Sequence, residues 1–311
     1  MSRPLPLSGI RVVEFTHMVM GPTCGLILAD LGAEVIKVEP LAGDNTRRLI
    51  GAGAGFFAMA SRNKQSLAVD VKDPRGREIV LKLVAGADVF SENFKDGVME
   101  RLGFGRAALK TLNPRLVYVS HKGFLPGPYE HRTALDEVVK MMGGLAFMTG
   151  PEGRPLRAGA SVNDIMGGMF GAIGAISALY ERDRAGSGTG RGAEIQSALF
   201  ENNIFLVAQH MLQYAVTGSA PSPMPSRISA WGIYDVFAGS DGEQIFLAVV
   251  SDTQWKLFCD AFGYGDLFAD ARLATNNGRV NARAWMMPDL RTRLGAFTAG
   301  ALGEKFEAAG L

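Results

Sequence analysis

The feature that most constrains this chain is the regular exchange of short β-branched runs and helical segments across its first 125 residues. IRVVEFT (10–16) is a compact apolar run, and TCGLILADLGA (23–33) reads as a helix closed by Gly32, a C-terminal cap. EVIKVEP (34–40) is the next strand, stopped by its proline, and SLAVDV (66–71) is another. A helix over 74–87 opens on Pro74, DVFSEN follows as a strand, and a helix at about 97–110 leads into RLVYVSHKG. Strands alternating with helices predict a parallel sheet with right-handed crossovers, an α/β fold of Rossmann-like type. Apolar runs without strict alternation fit strands covered on both faces.

Beyond this sheet the pattern becomes mainly helical. A helix is expected at about 134–146, then the loop TGPEGRPLRAG, then a helix from Asp164 to about Arg184. AGSGTGRG (185–192) is a turn-rich connector to a strand in AEIQSAL, and a long helix follows from FENNIF. APSPMPSRIS (220–229), rich in proline and serine, is the best boundary. It sets a large domain at 1–219 apart from a linker and smaller α+β domain at 220–311, which opens on a hairpin around SDGE. No segment recurs at a period of 20 to 50 residues, so solenoids and propellers are excluded.

Charge and cysteine content narrow the partners. Net charge is +1 with acids and bases interspersed, which gives no electrostatic reason for nucleic acid or an anionic membrane. Cys24 and Cys259 are far apart, and no Cys/His cluster has ligand spacing, so a reduced, cytoplasmic protein without zinc is expected. The N-terminus has no signal-peptide core. The apolar run Ile165–Tyr180 falls short of the roughly 20 residues of a spanning helix and is read as buried.

Few standard motifs are present. There is no Walker lysine motif, no GxSxG and no HExxH, and GAGAG (51–55) lacks the spacing of a dinucleotide loop. His17 and His121 follow predicted strands, where open α/β sheets place ligands. Asp164, ahead of the glycine-studded segment IMGGMFGAIGAI, has two readings. It is a helix N-cap, or it is a carboxylate nucleophile kept ionised by the positive end of the helix. Gly167, Gly171 and Ala175 recur every four residues and leave room for another backbone or a flat ligand.

At this point the chain resembles the class III coenzyme A transferases (CaiB/BaiF type), which share a fold with the α-methylacyl-CoA racemases. The resemblance runs nearly end to end. It rests on LSGIRVVEFTHMVMGP, LADLGAEVIKVEP, SRNKQSLAVDVKDPRGREI, ADVFSENFKDGVMERLGFG, LNPRLVYVSHKGF, GPYEHR and RAGASVNDIMGGMFGAIGAISAL in this order. It implies that Asp164 is catalytic, taking an acyl-CoA through an aspartyl anhydride and an aspartyl-CoA thioester to a carboxylic acid acceptor. Coenzyme A is then a substrate, with no permanent cofactor or metal. The residues matching the family's CoA site are Met18, Val19, Met20, Val69, Lys72, Asn93, Phe94 and Arg101, with Arg132 as a further phosphate contact. Some members have an arginine where this chain has Pro40.

His17, Leu135 and Lys140 are the acyl-pocket candidates. Leu135 stands where the racemases have a histidine and many transferases a tyrosine, and Lys140 where glutamine is common; His131 lies four residues too early to be the racemases' second base. The stretch SHKGFLPGPYEHRTALDE is similar to transferases acting on succinyl-CoA and short dicarboxylates, for which Lys122, Lys140 and Arg132 are candidate cations. A racemase-type isomerase and a non-catalytic acyl-CoA-binding protein stay open as alternatives. The resemblance also implies an interlocked homodimer, or a pairing with a homologous subunit. Relatives continue past KFEAAGL with a segment returning to the first domain, so that segment is expected to be lacking here.

Overall fold

The computed structural model describes residues 4–311. The chain divides into two compact units between Pro225 and Ser226. Residues 220–225 stay with the first unit, where the Met224 N–H donates to the Met148 carbonyl at 2.9 Å.

The first unit is built on six parallel strands: β1 (Arg11–Phe15), β2 (Glu34–Glu39), β3 (Lys64–Ala68), β4 (Val89–Glu92), β5 (Val117–Lys122) and β6 (Glu194–Ala198). They lie in the order β3-β2-β1-β4-β5-β6, so the winding reverses direction between β1 and β4. Its helices are α1 (Met20–Asp30), α2 (Phe56–Ser61), α3 (Pro74–Ala85), α4 (Val98–Leu102), α5 (Arg106–Leu112), α6 (Asp136–Met142), α7 (Leu145–Thr149), α8 (Val162–Asp183) and α9 (Leu199–Thr217).

Successive strand residues enter different cores. Val12, Val89 and Val117 pack with Cys24 and Leu28 of α1 and Ala172, Ala175 and Leu179 of α8. Val13, Phe90 and Tyr118 pack with Val80 and Val84 of α3, Met99 of α4 and Leu109 of α5. Burial on both faces explains the unalternated strand sequences. The glycines of α8 serve this packing: a Cβ at Gly167 would strike Met20, one at Gly168 would strike Thr23, and one at Gly171 would strike the His121 ring. What fills the small-residue stripe is therefore α1 and β5, not a flat ligand. α8 is long and apolar enough to cross a membrane, yet one face of it packs into this sheet core.

Three expected elements shift. The strand read at 66–71 runs from Lys64 to Ala68, because Lys64 is drawn inward by Glu14 (2.8 Å) while the Asp70 carboxylate accepts the Lys72 N–H and turns the chain. The helix read at 97–110 breaks at Gly103, which is left-handed (φ +85°). The helix read at 134–146 breaks at Gly144 (φ +86°), beside Gly143, whose missing Cβ makes room for the Asn203 amide.

The second unit opens with an antiparallel hairpin, β7 (Ile233–Ala238) and β8 (Gln244–Val249), with Gly242 at φ +79° in the turn. Ile233, Phe237, Leu247 and Val249 pack on Trp255 and Phe258 of α10 (Asp252–Phe262). Two short helices, α11 (Gly265–Ala269) and α12 (Asn276–Asn281), lead to α13 (Arg283–Leu294) and α14 (Ala299–Ala308), which close the core with Met286, Leu290, Leu302 and Phe306. Arg279 is fully buried, paired with Asp252 at 2.5 Å and set over the Trp255 ring.

Candidate active site

In open α/β sheets a crevice forms beyond the strand ends where the winding reverses. Here the loops after β1, β4 and β5 meet the first turn of α8 around a cleft of about 440 Å³. The first two loops are locked together. The His17 N–H donates to Asn93 Oδ1 at 3.0 Å, and Asn93 Nδ2 donates back to the His17 carbonyl at 2.8 Å. The His17 ring stacks on Phe94 with centroids 5.1 Å apart. Met18 sits in the left-handed region (φ +64°), an uncommon place for its side chain, and is pinned by a 3.0 Å bond from its N–H to Thr46 Oγ1.

Asp164 opens into this cleft from the third residue of α8, so it is not the N-cap. The capping position falls to Ser161, whose side chain makes no capping bond. The capping bonds come from another helix. Asp136 Oδ1 accepts the N–H groups of Asn163 (2.8 Å) and Asp164 (3.1 Å). Its other oxygen meets the ammonium of Lys140, one helical turn on, and Lys140 also donates to the Ala160 carbonyl at 2.9 Å. Among the described residues the Asp164 carboxylate has no hydrogen-bond or ion-pair partner.

This arrangement works against the ionised Asp164 expected at the positive end of the helix. Burial first, then the Asp136 charge, push the carboxyl up to about 7; Lys140 pulls the other way, and Glu137 adds to the rise. The free N–H groups that would have favoured the anion are already occupied by Asp136.

Of the residues read from the sequence as catalytic, CoA-site or acyl-pocket candidates, His17, Met18, Met20, Asn93, Phe94, Arg132, Leu135 and Asp164 line the cleft together. The others do not. Val19 is buried ahead of α1, where its carbonyl accepts the Thr23 N–H and hydroxyl. Val69 packs against the core beneath α3, and Lys72 and Arg101 stand exposed after β3 and on α4. Lys140 is the clear correction. It is completely buried by its bond to Asp136, so it can neither reach an acyl group in the cleft nor sit in solvent.

The remaining cleft side chains divide by charge. Lys122 is held by Asp96 (2.6 Å) and Glu92 (3.5 Å), while the Arg132 guanidinium lies 4.4 Å from the Tyr129 ring centroid. His121 is buried at the cleft floor with Nε2 3.1 Å from Ser91 Oγ, and burial pushes it down to about 3, so it stays neutral. His131 reaches the cleft rim beside Glu130 but is exposed. The Cys24 thiol, enclosed under α8, is pushed up to about 12 and is no nucleophile at neutral pH. Sequence reading missed Asp136. Its signal was the Asp136–Lys140 spacing of four on a helix beside Leu135.

The family model described as CoA-transferase family III matches residues 7–311. The acetyl-CoA:oxalate CoA-transferase of Acetobacter aceti is 38% identical over 282 residues, covering 88% of this chain and 71% of its own length. The succinate–glutarate CoA-transferase of Agrobacterium fabrum is 36% identical over 292 residues, covering 90% and 72%. Among solved structures, a CAIB/BAIF family protein from Brucella suis superposes with a TM-score of 0.84 at 35% identity, over 99% of this chain and 83% of that one.

Proposed function

From the premise that the chain belongs to CoA-transferase family III, we propose that Asp164 is the nucleophile that carries coenzyme A between two carboxylic acids. The observation that carries this reading is the unpartnered Asp164 carboxylate in the cleft, released from capping by Asp136. The Asp164 carboxylate attacks the thioester carbonyl of an acyl-CoA, forming an anhydride and releasing CoA thiolate. The thiolate attacks the aspartyl carbonyl and expels the donor acid, leaving an aspartyl-CoA thioester. An acceptor carboxylate attacks that thioester, and the returning thiolate takes the acceptor's acyl group and restores Asp164. Each step exchanges one acyl bond for another, and no electron acceptor enters.

Met18, Met20 and Phe94 offer apolar surface to the CoA chain, and Lys72, Arg101 and Arg132 offer charge to its phosphates along the same carboxyl edge of the sheet. The acceptor is a short dicarboxylate, with succinyl-CoA or a similar thioester as donor. Its distal carboxylate meets Lys122 or Arg132, two of the cleft cations left once Lys140 is buried beneath Asp136. The apolar side chains exposed on α9, among them Phe205, Leu212 and Val216, support a homodimer, which light scattering would test.

The direct test is intact mass after incubation with succinyl-CoA. The reading expects a CoA adduct that is lost in Asp164→Ala and maps to Asp164. A folded, CoA-binding protein with no adduct would refute it.

A further inference from the structure

Lys140 is a fully buried lysine on a short helix. An isolated ammonium there would lose its hydration without return, so its partners define what it does. They are Asp136, the Ala160 carbonyl just ahead of α8, and Glu137 at 3.5 Å. Two of these partners bear on the start of the helix that carries Asp164: Ala160 lies just ahead of it, and Asp136 bonds to its first turn. Asp136 holds the Asn163 and Asp164 N–H groups with one oxygen and Lys140 with the other.

We infer that Lys140 is a positioning residue for CoA transfer, holding Asp136 on the first turn of α8 so that the Asp164 carboxylate is left free to attack. The inference rests on the reading of Asp164 as nucleophile. Lys140 touches neither substrate nor cleft; it acts through Asp136.

The charge balance follows from the geometry. Asp136, Glu137 and Asp164 bring three carboxylates to one place; Lys140 is the buried cation among them, and Arg157 reaches only Glu137, from an exposed position at 3.8 Å. His17 and His121, the imidazoles on the facing β1 loop and β5, are both held below their ordinary values by burial and add little positive charge. With Lys140 removed, Asp136 keeps its two N–H donors and stays the better-stabilised anion, so the added repulsion falls on Asp164.

The test compares Lys140→Met, Lys140→Gln and the double variant Lys140→Met/Asp136→Asn with the unaltered protein. Two readouts are needed: the pH profile of adduct formation from succinyl-CoA, and carboxyl carbon-13 titration, with signals assigned by Asp164→Asn and Asp136→Asn. In Lys140→Met the acid limb should rise by about one pH unit, giving about a fivefold slower adduct at pH 7, with little change in donor KM. Adding Asp136→Asn should bring the limb back down, an effect that loss of packing alone would not produce. Folded Lys140→Met and Lys140→Gln with the original pH profile and the original Asp164 titration would overturn the inference.

If neither variant folds, Asp136→Asn decides: with the partner of Lys140 neutralised, the Asp164 titration must move down, and an unmoved Asp164 titration would overturn the inference. Absence of any adduct in the unaltered protein would instead sink the nucleophile reading, and the carboxyl titration would still report on Lys140.

Discussion

Two groups of buried charges in the first unit are compensated in different ways. Beneath the β1 loop, Lys37 pairs with Asp44 at 3.0 Å, Glu39 is clasped by Arg47 at 2.7 Å and bonded by Ser66, and Lys64 pairs with Glu14 at 2.8 Å. Each carboxylate there has its own cation. Burial alone would raise Glu39, but its bonds from Arg47, the Asp44 N–H and Ser66 win, and it falls to about 2; Asp44 is lowered likewise. At the start of α8, Lys140 is the buried cation for Asp136, Glu137 and Asp164, and Asp164 rises to about 7. The first group pins a loop. The second leaves one carboxylate uncompensated, and an uncompensated carboxylate is the one available for chemistry.

Removing that carboxylate should have the largest effect. Asp164→Asn should lower steady-state CoA transfer by at least about a thousandfold, measured by formation of the acceptor thioester. Transfer that survives within tenfold would erase the distinction between the two groups. The next effect is on stability. Lys37→Met leaves the buried Asp44 without its ion-pair partner and the Thr16 carbonyl without the Lys37 donor, and should cost about 3–5 kcal/mol by denaturant unfolding. Asp164→Asn should do the opposite and stabilise the fold by about 1–3 kcal/mol at pH 8.

The pH dependences should also run in opposite directions. Asp164 has a folded value above its unfolded one, so its contribution is fully present below about pH 4 and is lost as pH rises through about 7. Glu39 is depressed, so its contribution, about 2–3 kcal/mol, is present above about pH 4.5 and lost as pH falls through about 2. Unfolding free energies from pH 2 to 9 for the unaltered protein, Asp164→Asn and Glu39→Gln would separate the two. The difference between the unaltered protein and Asp164→Asn should itself change between about pH 4 and 7, and a difference that stays flat over that range would break the comparison. The smallest expected effect is at the loop clasp. Asn93→Ala removes both bonds to the His17 backbone and should raise donor KM several-fold, about 1 kcal/mol, with kcat little changed.

The sheet was legible because β1, β4 and β5 are apolar on both faces and end at sharp turns. β3 was misplaced because the strand was read as starting at Ser66, leaving out the polar Lys64 and Gln65, and only the buried Glu14 partner explains a lysine in that strand. Gly103 and Gly144 were read through as helix because a left-handed φ leaves little trace in periodicity. Within the site, the residues brought together after β1 and β4 were accessible from motif position. The Asp136–Lys140 relation was not, since a lysine on a helix face is normally solvated and its burial depends on Ala160 and α8 arriving from elsewhere in the chain.

The measurement that tests the account most directly uses an acceptor acid labelled with oxygen-18 in its carboxylates. In the anhydride route an acceptor oxygen bridges to the aspartyl carbonyl and stays on the enzyme when the thiolate takes the acyl group. After one turnover the peptide containing Asp164 should carry one heavy oxygen, and Glu39 and Asp136 should carry none. A full turnover that leaves Asp164 unlabelled would contradict the claim that its uncompensated carboxylate is the nucleophile.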